Sequence, residues 1–157
     1  MQVHISISDQ TLTLIKPDQS IRFSISTALN GAGEQNGSGC TPRGQHRIRA
    51  KIGDGLPLNA VFVGRRFTGE IYTPELAHSA PQRDWILTRI LWLSGCEVGK
   101  NRLGSVDSMR RYIYIHGTPE TEPMGTPKSH GCIRMRNDDL IQVFNSVPVG
   151  TQVIIEE

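Results

Sequence analysis

Val3-His4-Ile5-Ser6-Ile7, Leu12-Thr13-Leu14 and Ile21-Arg22-Phe23-Ser24-Ile25 put an apolar residue at every second position. Side chains alternate across a β-strand, so each run presents one greasy face and one wet one. Asp9-Gln10 and Lys16-Pro17-Asp18-Gln19 separate the runs with turn-forming residues. The opening stretch therefore reads as an antiparallel meander, and the chain as mainly β.

The same period recurs further along. Ile48, Ala50 and Ile52 suggest another strand, and Ala60-Val61-Phe62-Val63 one more. Trp85 to Leu93 is a continuous apolar run with Thr88 and Arg89 inside it. Such a run fits a buried strand or a helix, and its end at Ser94-Gly95 favours strand. Tyr112-Ile113-Tyr114-Ile115 alternates and stops at His116-Gly117. Gln152 to Ile155 is a last strand. Residues 30–39, 97–108 and 118–128 are rich in Gly, Pro and polar residues and read as loops. The first is closed by Thr41-Pro42-Arg43-Gly44. Asn137-Asp138-Asp139 starts a helix, with Asn137 as N-cap and two acids in the first turn. Its inner face is Leu140, Ile141 and Phe144. No repeat or linker divides the chain, so residues 1–157 are read as one domain.

Bulk properties exclude several classes of function. The formal net charge is +2, too small to imply a polyanion. Arg110-Arg111 reads as a solvated face, so nucleic acid is not an expected partner. No run approaches the ~18 apolar residues that span a bilayer. The N-terminus lacks the pattern of a secretory signal. The expectation is a cytoplasmic protein, or a periplasmic one if the sequence is a trimmed mature form. The cysteines are Cys40, Cys96 and Cys132. An odd number without CxxC spacing suggests neither a disulfide framework nor a zinc knuckle. A metal site built from Cys132, His116 and His130 lacks the further ligands zinc needs. No metal or cofactor is expected, and Cys40 and Cys96 read as incidental.

Chemistry concentrates in Ile113-Tyr114-Ile115-His116-Gly117-Thr118 and Ser129-His130-Gly131-Cys132-Ile133-Arg134-Met135. A strand carries His116 to its end, on the face of Tyr112 and Tyr114. A loop then returns the chain to Cys132. A free thiol has a pKa of about 8.5, so attack on an amide at neutral pH needs a nearby imidazole to take or share its proton. Gly131 lets the backbone bend so that adjacent N–H groups converge on an oxyanion. No acidic residue is placed to orient the imidazole, which points to a backbone carbonyl, that of Gly117. His130 either contacts the substrate or braces the loop. Ser129 is open to the same choice, and Tyr114 either packs or lines the cleft.

His116-Gly117-Thr118 followed by Ser129-His130-Gly131-Cys132-Ile133-Arg134 resembles the signature of the L,D-transpeptidase catalytic domain, the YkuD-type family. Ser26-Thr27 through Thr41-Pro42-Arg43-Gly44 is similar to that family's first half, and residues 53–108 are least covered. The resemblance implies a β-sandwich with one or two short helices. It implies that Cys132 attacks the amide joining the third residue of a peptidoglycan tetrapeptide stem to the terminal D-Ala, leaving a thioester. It implies Gly117 as the orienting carbonyl, Gly131 and Cys132 as oxyanion donors, and Arg134 as a partner for a substrate carboxylate. A carbapenem is expected to acylate Cys132.

Leaderless members resemble L,D-carboxypeptidases of muropeptide recycling, so water is the expected acceptor. Transfer to an amine, giving a 3-3 cross-link, is the alternative. A non-catalytic module that binds peptidoglycan fragments is the second. Oligomeric state is not legible.

Overall fold

The computed structural model describes residues 1–157. The meander forms as read: β1 (Gln2–Ser6), β2 (Thr11–Ile15) and β3 (Ser20–Ser26) pair antiparallel. Their alternation sets the register. Val3 faces Leu14, and Leu12 faces Phe23, all of them buried.

The remaining strands of the ring are β4 (Gly44–Ile52), β7 (Ile86–Gly95), β8 (Tyr114–Gly117), β9 (Ile133–Met135) and β10 (Gln152–Glu156). They join the meander in the order β4-β10-β1-β2-β3-β9-β8-β7, and β4 also pairs with β7. The sheet therefore closes on itself, which leaves no free edge in the ring. The mainly β expectation is met by one continuous ten-stranded sheet. Inside lies a cluster of 19 buried apolar residues, including Ile5, Leu14, Ile48, Leu91, Ile115, Ile133 and Ile155. Each such side chain contributes about 1.5–3 kcal/mol of transfer free energy.

Between β4 and β7 the chain adds β5 (Ala60–Val63), β6 (Arg66–Ile71) and α1 (Pro74–Ser79). β5 pairs with the start of β7 through Val61 and Phe62, opposite Leu87 and Ile86. The Phe62 side packs into a second, smaller cluster with Ala60, Ile90 and Tyr114. The turn between β5 and β6 holds only Gly64 and Arg65. α1 is capped by Thr73, whose Oγ1 accepts the Leu76 N–H at 3.1 Å, and Pro74 opens it.

α2 (Asn137–Ser146) packs on β7 and β8 with Leu140, Val143 and Phe144 buried. Two expectations need correction. Val143, rather than Ile141, completes the inner face. Asn137 is the first helical residue and not the N-cap, which is Arg136. The Asn137 amide donates instead to Asn59 Oδ1 at 3.0 Å, tying α2 to the turn before β5.

Candidate active site

β8 and β9 are neighbours and run parallel, with His116 in register with Arg134. This pairing decides the site. It carries Cys132, just before β9, alongside Tyr114 and one strand repeat from His116. The Tyr114 N–H donates to Cys132 Sγ at 3.3 Å. The thiol donates to the Tyr112 carbonyl at 3.2 Å. Tyr112 lies outside the strand, contrary to expectation, with φ 57°. The left-handed kink is uncommon for a bulky residue, and it leaves the Tyr112 carbonyl on the thiol and its ring at the cavity.

His116 is buried, and its Nδ1 lies 2.6 Å from the Gly117 carbonyl. A carbonyl only accepts, so Nδ1 carries the proton and Nε2 keeps a free lone pair. Gly117 is required sterically. A Cβ there would lie 2.1 Å from Asn137 Oδ1 and 2.6 Å from the Leu87 carbonyl. Gly131 sits at φ 134°, where side chains are rarely tolerated.

Cys132, His116, Tyr112, Tyr114, Ser129, His130 and Arg134 line one cavity of about 380 Å³. The sequence reading missed four further lining residues: Gly64, Arg65, Asp84 and Ile86. Gly64, Arg65 and Asp84 come from the stretch between β5 and β7.

Ser129, Arg134 and His130 each have definite neighbours. Ser129 braces the loop: its hydroxyl donates to the Cys132 carbonyl at 2.6 Å and accepts the Gly131 N–H at 3.2 Å. The Gly131 N–H is thereby engaged, while the Cys132 N–H has no protein partner. Arg134 is committed to Asp84 at 3.2 Å and Glu122 at 3.4 Å, with its side chain only 9% exposed. It has little left for a substrate carboxylate. His130 is exposed at the rim, 3.9 Å from Asp84. Arg111, read as part of a solvated face, is half-buried, and its guanidinium donates to the Cys40 carbonyl at 2.6 Å. It thereby fixes the glycine-rich loop beside Gly131.

The resting charges also differ from a preformed thiolate–imidazolium pair. Burial pushes the Cys132 thiol up to about 12, against smaller lowering by the Tyr114 N–H, Arg134 and Arg111. Burial likewise holds His116 below the ordinary imidazole range. Low dielectric opposes both charges. No hydrogen bond joins the two side chains, and the thiol is turned to Tyr112. The arrangement favours an imidazole that accepts the proton as the thiol attacks.

A family model described as "YkuD: L,D-transpeptidase catalytic domain" matches residues 1–155. The putative L,D-transpeptidase YqjB of Bacillus subtilis is 49% identical over 47 residues, 30% of this chain and 27% of its own length. The probable L,D-transpeptidase ErfK/SrfK of Escherichia coli is 51% identical over 45 residues, 29% and 14% of the two chains. The matched segments thus span less than a third of these relatives. L,D-transpeptidase 3 from Mycobacterium tuberculosis, in complex with a faropenem-derived adduct, shares the fold. Its TM-score is 0.57 at 18% identity, covering 99% of this chain and 59% of that one.

Proposed function

This chain belongs to the YkuD family of L,D-transpeptidase catalytic domains, and from that premise we propose that it is a cysteine acyl-enzyme acting on peptidoglycan tetrapeptide stems, with water as acceptor. The observation that carries the reading is the convergence of Cys132 and His116 on one open cavity, with the Gly117 carbonyl fixing the imidazole tautomer.

The thiol rotates from the Tyr112 carbonyl toward His116 Nε2, which takes its proton as Sγ attacks the carbonyl carbon of the third residue. The resulting oxyanion meets the Cys132 N–H, which is free to donate. Imidazolium then protonates the departing amine as the C–N bond breaks, and D-Ala leaves. A water gives its proton to His116 and attacks the thioester. Collapse releases the tripeptide, and the proton returns to sulfur. Each histidine proton transfer uses Nε2, because Nδ1 stays on Gly117.

The glycine-rich loop abuts the nucleophile loop: a Cβ on Gly131 would lie 3.3 Å from the Cys40 carbonyl and 3.4 Å from Ile113. The three unpaired cysteines suit a reducing compartment, which favours a cytoplasmic setting over a periplasmic one.

Incubation with a disaccharide tetrapeptide under reducing conditions, followed by mass spectrometry, tests this. Loss of D-Ala without dimers is expected. Dimers would move the assignment to cross-linking. Unchanged substrate with the wild type, or binding retained by Cys132→Ala with no turnover in either, would leave the non-catalytic binding module.

A further inference from the structure

Two arginines line the catalytic cavity, Arg134 and Arg65. Arg134 is neutralised by Asp84 and Glu122. Arg65 has no carboxylate partner. Its Nη1 donates to Tyr114 Oη at 3.0 Å. Its guanidinium lies 4.5 Å from the Tyr112 ring centroid and 5.1 Å from that of Trp92. One N–H is occupied by a neutral oxygen, and the guanidinium sits against two aromatic rings. A guanidinium so placed keeps its full charge and several donors.

The backbone beneath it is unusual. Gly64 and Arg65 form a two-residue hairpin turn with φ 56° and 65°. Tight turns with two positive φ values favour Asn, Asp or Gly. An arginine there is held against its own preference, and the turn sets it on the cavity wall, above the β8 segment that abuts Cys132.

We infer that Arg65 is the specificity residue of this site, gripping a free carboxylate of the donor stem peptide. The inference rests on the proposed substrate class. The aromatic pair holds the fork in place before the peptide arrives, and the carboxylate replaces or joins Tyr114 Oη as acceptor. The β5–β6 hairpin thereby senses the occupied site through a charge-assisted contact.

Two measurements test this. The first is binding of the disaccharide tetrapeptide to Cys132→Ala and to Cys132→Ala/Arg65→Gln by calorimetry. Loss of a charged hydrogen bond predicts a roughly 10- to 100-fold weaker Kd for the double variant. The second is turnover by wild type, Arg65→Lys and Arg65→Gln on the free tetrapeptide and on two mono-amidated forms. One form is amidated at the D-Ala carboxyl and the other at the side-chain carboxyl of the third residue. KM should rise in the order wild type, Lys, Gln, with kcat much less affected. The wild-type advantage should vanish on one amidated form. Equal Kd for the two alanine variants, or the same Arg65 effect on all three substrates, overturns the assignment. Arg65-dependent binding without any D-Ala release would sink the enzymatic reading and leave this one standing. Release that ignores Arg65 does the reverse, and no binding at all defeats both.

Discussion

Acidification should weaken this protein through a histidine outside the proposed catalytic pair. His46 on β4 is fully buried. Its Nδ1 lies 3.1 Å from the Gly44 carbonyl and its Nε2 lies 2.8 Å from Ser108 Oγ. The neutral ring satisfies both, with Nδ1–H donating and Nε2 accepting from the serine. Burial is the largest influence and pulls its pKa from 6.5 to about 4, although the Gly44 carbonyl and Glu97 oppose the shift. Below pH 6.5 the unfolded chain takes up a proton that the folded chain refuses. Stability is therefore intact above that pH and declines as pH falls toward 4. At pH 5 the gap from 6.5 is 1.5 units, which costs about 2 kcal/mol at 1.36 kcal/mol per unit. For a chain of this size that lowers Tm by about 4–8 °C. Ser108 opens the segment leading to Tyr112, so the same proton should loosen the acceptor of the Cys132 thiol. Urea unfolding at pH 7.5, 6 and 5, for wild type and His46→Gln, reads the effect as a difference between the two slopes. Other titrating groups cancel in that difference. Parallel pH dependence in the two proteins, or a His46 ring that titrates near 6.5 by NMR, would refute the reasoning.

Other predictions follow from packing and charge. Gly117→Ala cannot fit its Cβ between Asn137 Oδ1 and the Leu87 carbonyl. It should destabilise by about 1–3 kcal/mol and cut kcat about 100-fold or more by misplacing His116; a thermal melt and D-Ala release check both. Phe144→Ala empties the core beside α2 and should cost about 3–5 kcal/mol in urea unfolding while leaving KM intact. Ser129→Ala removes both hydrogen bonds that shape the Cys132 loop, and a loss of kcat exceeding the loss of stability is expected in steady-state assays. Because burial lowers the His116 pKa, the base stays neutral to lower pH than an ordinary imidazole. The acid limb of kcat/KM should lie below pH 6.5, and a limb above it contradicts the burial argument.

Periodicity exposed the ring strands, because each buries one face of a single core. It could not expose β6 or α1. The β6 side chains are mostly exposed and pair only with β5, while α1 buries none of its residues. Closure of β4 on β7 is likewise invisible, since it joins segments about forty residues apart with no local mark. His116 and Cys132 were legible because a strand end and a glycine turn leave local signatures. Asp84 and Arg65 carry none: each reaches the cavity from a segment whose place only the closed sheet decides. Tyr112 was misread because its alternation continues in sequence while its backbone turns left-handed. The acidic partners of Arg134 escaped the sequence because they lie 50 and 12 residues away.

The central claim is that the sulfur of Cys132 takes the acyl group. Acid-quenching the enzyme with tetrapeptide substrate, then mapping peptides by mass spectrometry, addresses it directly. A thioester of the disaccharide tripeptide on Cys132, absent in His116→Ala, is the predicted result. D-Ala release with Cys132 unmodified at every time point, or an adduct found only on Cys40 or Cys96, would contradict it.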